Sequence, residues 1–103
     1  METFDKYGFI QDLTDFLTNE IKNYDIENID KIHELIFEYI DNECIYYSDC
    51  WNICQALQAN DFSAFDMECN TINQLAFCAL NELVNEELDF NELETLIEEK
   101  INQ

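Results

Sequence analysis

The groups in this chain that could do chemistry are 24 carboxylates, five cysteines and one histidine, set against four lysines and no arginine. The carboxylates dominate, and their spacing is regular. Glu82, Glu86, Glu87, Asp89, Glu92, Glu94, Glu98 and Glu99 crowd the C-terminal fifth, and Asp30, Glu34 and Glu38 recur every four residues upstream. On a helix, Glu82 with Glu86 and Glu94 with Glu98 form i, i+4 rungs that lack the lysines usually facing them. Each like-charge rung costs a helix about 0.2–0.5 kcal/mol. A solvated face ordinarily mixes signs to avoid that cost. Carboxylates one helical turn apart lie about 6 Å from each other, close to the interval between successive phosphates on a nucleic-acid strand. Such rows on a stiff frame can enter an Arg/Lys-lined groove built for DNA or RNA. Binding would then draw on the same long-range attraction and counterion release as the real polyanion.

The other groups offer less. His33 is the single histidine, and no oriented partner that would make it a general base can be named. A cysteine nucleophile paired with it is no better supported. No Cys-x-x-Cys spacing is present for zinc. Cys50 and Cys54 share a helix face, with Cys44 one to two turns earlier, but cysteines so placed usually act as small apolar residues. One histidine cannot supply the two Glu-x-x-His pairs of a di-iron bundle. The run DIENID from Asp25 begins like a calcium loop, yet Asp30 stands where its sixth-position glycine belongs and Ile36 where its glutamate belongs. Glycine-rich phosphate loops are absent. With so few cations, direct binding of DNA or RNA is not expected. Neither is a catalytic residue, a metal ligand or a cofactor, so the expectation is a protein that is not an enzyme.

The net charge of −20 opposes folding, because the compact state must hold like charges together. Against it stand 48% apolar and 14% aromatic residues, enough for a core. At 103 residues the expectation is a single domain spanning 1–103. Abundant Asn, Ile, Tyr and Phe fit AT-rich coding sequence, but that bias normally brings in lysine, which is scarce. Nucleotide drift therefore does not account for the charge. The opening METFDKYGF lacks the basic region and apolar run of a secretory signal. Five cysteines without such a signal imply reduced thiols, and the expected location is the cytoplasm of the host cell. No apolar run reaches membrane-spanning length, and anionic headgroups would repel this surface.

The elements that must position these groups are helical. With no proline and one glycine, Gly8, the chain has little of what strand turns use. The fold class expected is all-α, one compact domain of about five helices around a central helix at roughly 42–58. A first helix from Phe4 or Tyr7 to Asn23 presents Phe9, Ile10, Leu13, Phe16, Leu17 and Ile21. A second, capped by Asn28 or Asp30, presents Ile29, Ile32, Leu35, Ile36, Tyr39 and Ile40. Whether it stops at Asp41 and Asn42 or runs on with a kink stays open. In the central stretch Cys44, Tyr47, Trp51 and Cys54 share one face, and Tyr46, Cys50, Ile53 and Leu57 the next. Only Asp41, Ile45, Ser48, Asn52 and Gln55 are left outward, so Trp51 is expected inside. After a loop with one short turn, where Phe62 and Phe65 plug the core, Thr71 caps a helix carrying Ile72, Leu75, Ala76, Ala79, Leu80, Leu83 and Val84. Asp89 or Asn91 starts the last, with Leu93, Leu96, Ile97 and Ile101 inward.

Small size, extreme acidity and helical pattern resemble the DNA-mimic proteins that phages and mobile elements aim at host defence, antirestriction and anti-CRISPR proteins among them. More narrowly, IYYSDCW at Ile45 to Trp51, preceded by Asp41 and Asn42 and followed by Asn60 to Phe62, is similar to a core of small uncharacterised phage proteins. The resemblance implies a helical fold and a phage or mobile-element origin; it carries over no catalytic residues. The expected function is an acidic mimic that occupies the nucleic-acid groove of a host defence nuclease, a CRISPR effector or restriction enzyme, and blocks its substrate. The partner is then a basic nucleic-acid-binding protein, a nuclease or nuclease complex, held by the acids named above or by a hydrophobic anchor such as Tyr46 or Phe37. One alternative is an immunity protein or antitoxin for a nuclease toxin; another is a cysteine-dependent metal or redox protein. The sequence leaves open whether the chain forms a homodimer.

Overall fold

Without proline, helices in this chain end only where capping residues and polar breaks end them. The computed structural model describes residues 4–46 and 50–102, without the side chains of 43–46. Five helices follow one another: α1 Lys6–Asn23, α2 Ile29–Tyr46, α3 Cys50–Gln58, α4 Ile72–Glu87 and α5 Phe90–Ile101, with a 3-10 turn at Ser63–Asp66 between α3 and α4. No strand occurs among the described residues. The fold is all-α and forms one compact body.

Four starts are capped by side chains that accept an otherwise orphaned N–H. Asp5 accepts from the Gly8 N–H at 3.0 Å, and Asn28 from that of Asp30 at 3.0 Å. Thr71 accepts from Gln74 and Asp89 from Glu92, each at 3.1 Å. Gln74 reaches back in turn to the Asn70 N–H at 3.1 Å. Gly8 has a specific use here: a Cβ at that position would meet an Asp5 carboxylate oxygen at 2.6 Å. Past α3, Asp61 takes the left-handed conformation at φ 53° that lets the chain turn away from the helix.

The helices bury the stripes their periodicity implies. Phe9, Leu13, Leu17 and Ile21 of α1, Ile32, Ile36 and Ile40 of α2, and Leu93 and Ile97 of α5 lie in the core. α4 packs against α3, α2 and the 3-10 turn, while α5 packs against α1 and α2. Ala76 and Ala79 face inward on α4, and such small side chains let helices approach closely. Phe62 is buried and Phe65 packs against the core, closing its end as expected. Ile72 and Ile101, the outermost residues of α4 and α5, are exposed rather than inward.

One expectation changes more. Helix α2 runs past Asp41 and Asn42 to Tyr46, since both side chains face solvent and interrupt nothing. α3, described from Cys50, buries Cys50, Ile53, Cys54 and Leu57, and whether it joins α2 in one helix across 42–58 lies outside the described residues. Trp51, about 100° around the helix from Cys50, is 61% exposed rather than inside. The expected inward positions of Cys44, Tyr46 and Tyr47, and the outward ones of Ile45 and Ser48, lie outside the described residues.

Candidate functional site

The acids define the surface because nothing else charged balances them. No charged side chain is buried among the described residues. On α2, Asp30, Glu34 and Glu38 are all exposed along one side. Beyond them, Glu86 and Glu87 close α4, Asp89 caps α5, and Glu92, Glu94, Glu98 and Glu99 stand in solvent on α5. Asp89 and Glu92 lie at a helix N-terminus, where backbone N–H groups favour negative charge. The Glu94–Glu98 rung has no such compensation.

Glu82 behaves differently. Its carboxylate accepts from the Ser63 N–H at 2.9 Å, the Ser63 hydroxyl at 2.8 Å and the Ala64 N–H at 2.8 Å. It serves as a cap supplied by α4 to a turn 19 residues earlier in the chain. Partial burial pushes its pKa up, but the three donors outweigh that and hold it below the ordinary carboxylate range. The Glu82–Glu86 rung therefore has one member facing the protein, and only Glu86 remains free for a partner.

The lysines explain the rest of the imbalance. Lys100 reaches across from α5 and donates to the Ile21 carbonyl at 2.6 Å and to the Tyr24 carbonyl, closing the C-terminal end of α1. Lys6 donates to Asn60 at 2.7 Å and sits over the Tyr7 ring. Lys22 occupies the last turn of α1, where a cation suits the helix dipole. Lys31 alone meets an acid, Glu34 at 3.4 Å, in the one ion pair among the described residues. That pair is exposed, the kind that contributes about 0–1 kcal/mol.

The remaining reactive groups are placed for packing. His33 is exposed on α2 and stacks on Phe90 at 5.3 Å between ring centres. Cys54, Cys69 and Cys78 are free thiols. Burial pushes the Cys54 thiol up, helped by Cys50 and Cys69, and it donates to the Ile72 carbonyl at 3.8 Å. Burial also raises the Cys78 thiol, which is hydrogen-bonded to Cys69. Raised thiols are poor nucleophiles and reluctant metal ligands. Among the described residues no three His, Cys, Asp or Glu side chains gather as a metal ion needs, and no helix is long and apolar enough to cross a membrane.

One surface feature was not evident from the helical pattern. Phe37 of α2 is 59% exposed and meets Phe77 of α4 edge to face, with ring centres 4.8 Å apart. Beside Phe77 opens a cavity of about 420 Å³. The signal for it is Phe37 itself, one position off the Ile32–Ile36–Ile40 stripe and next to Glu38. Only the apposition of α2 and α4 turns that residue into part of a groove. The side chain of Tyr46, the alternative anchor, lies outside the described residues. Comparison of the chain with protein-family models, curated proteins and solved structures finds no significant match.

Proposed function

We propose that this protein is an acidic mimic of DNA or RNA that occupies the basic nucleic-acid groove of a host defence nuclease, a CRISPR effector or restriction enzyme, and excludes its substrate. The observation that carries this is the commitment of the lysines: Lys100 and Lys6 donate to carbonyl and amide oxygens, and one exposed pair is all that offsets the acids among the described residues. A magnitude supports it. The molecule measures 45 × 26 × 21 Å. A formal charge of −20 along 45 Å is one negative charge per ~2.3 Å of length, against about 1.7 Å for duplex DNA. Averaged over the whole surface, the acidity of the chain thus approaches that of the polyanion it would replace.

The α5 face, with Glu86 at the end of α4, is the working surface, and α2 adds a second row. Attachment is electrostatic, so a partner captured from host extract on the immobilised protein should elute as salt rises and be displaced by duplex DNA or RNA. Reversal of Glu86, Glu94 and Glu98 to Lys should abolish capture with helix content and melting near wild type, because all three side chains are exposed. Full capture by that variant would remove the C-terminal face from the proposal.

A further inference from the structure

An acidic surface that imitates a polyanion attracts any basic protein, and exposed charges are screened over about 8 Å at physiological ionic strength. Charge alone thus gives fast encounter and little residence time. The groove between α2 and α4 offers what is missing. Its apolar side consists of Phe77, the Cys69 and Cys78 thiols and Met67, which is 57% exposed, with Phe37 leaning against Phe77 at the edge. Its polar side consists of the Asp41 and Glu68 carboxylates and the neutral Asn73 and Gln74 amides. At about 420 Å³ the cavity falls within the range of small binding sites, about 300–1,000 Å³. Glu34, Phe37 and Asp41 succeed one another at helical-turn spacing on α2, with Glu38 next to Phe37, so the acidic row of α2 runs into the groove.

The charge selects the occupant. A second copy of this chain would bring another −20 to the contact, and nucleic acid or an anionic membrane would be repelled in the same way. An apolar cavity rimmed by carboxylates suits a basic segment of a protein with one large apolar side chain between arginines or lysines.

We propose that this groove seats such a segment of the target: an aromatic or aliphatic side chain enters beside Phe77 and Met67 while its flanking cations pair with Asp41, Glu68 and the α2 row. The identity of the target rests on the function proposed above; the chemistry of the groove does not. Steering comes from the acids and retention from the anchor, as in interfaces where a few desolvated apolar residues dominate binding.

The test uses two fluorescent peptides of equal charge, each with arginine and lysine flanks, one centred on Phe-Leu and the other on Ser-Ser. They are titrated against the full chain at low and physiological salt. The Phe-Leu peptide should bind about tenfold tighter at physiological salt, a difference of ~1.4 kcal/mol, and the advantage should vanish in both Phe37→Ser and Met67→Ser. Each substitution alters an exposed side chain, and helix content verifies the fold; Glu94→Lys with Glu98→Lys should leave the advantage intact. Equal binding of both peptides would overturn the groove as an anchor and leave the acidic-surface proposal standing. An advantage that survives in both serine variants would overturn it equally, because the anchor would lie elsewhere. Failure of both peptides to bind even at low salt would bring down the groove and the acidic surface together.

Discussion

Glu82 and Glu86 stand one turn apart on α4 with the same side chain, yet only Glu82 has its oxygens held, by Ser63 and Ala64. Spacing could not separate them, because the donors come from a turn that reads as an irregular loop. Glu82→Ala should lower the melting temperature, whereas Glu86→Ala should leave it unchanged or raise it by relieving repulsion. Since the folded pKa of Glu82 is lowered from 4.5, its contribution is present above that value and is lost as pH falls through the folded pKa. The gap between wild type and Glu82→Ala should accordingly close on acidification below 4.5; a gap that stays constant there would contradict the cap. Trp51 makes the complementary case. Its size and periodic position read as core, but at 61% exposure its truncation to alanine should cost under about 1 kcal/mol in denaturant unfolding. Ile53→Ala, at a fully buried position of the same helix, should cost about 2–5 kcal/mol.

Among the elements, three helix starts are legible in the sequence and the cap of the first is not. Asn28, Thr71 and Asp89 cap helices where short polar side chains stand before an apolar stripe, a local signal that narrows each start to one or two residues, whereas Asp5 caps α1 at a position the stripe does not single out. Asp41 and Asn42 resemble a stop, but on the solvent side of a helix they cost only a little propensity. The C-terminal closure of α1 was equally invisible, since Lys100 supplies it from 79 positions away. Lys100→Met should destabilise the domain by about 1–2 kcal/mol through the carbonyls it leaves unpaired. Lys31→Met, with the same change in charge, should cost no more than about 1 kcal/mol. Equal losses would mean that net charge, not the cap, sets the effect.

For the whole molecule, composition already carried the acidity and the all-α class, because both follow from sums over the chain. The groove did not, since Phe37 and Phe77 are 40 residues apart and meet only once α2 lies on α4. Self-repulsion at −20 also implies that the fold works against its own charge. Added NaCl should raise the melting temperature while it weakens partner binding, and the two opposite responses share one cause. The slope of log affinity against log salt for the captured partner is the most direct probe of this. The expected result is a steeply negative slope for the wild type, displacement by duplex DNA or RNA, and loss of binding when Glu86, Glu94 and Glu98 become lysine. A slope near zero, with a contact surface on the partner that is neutral or acidic, would contradict it.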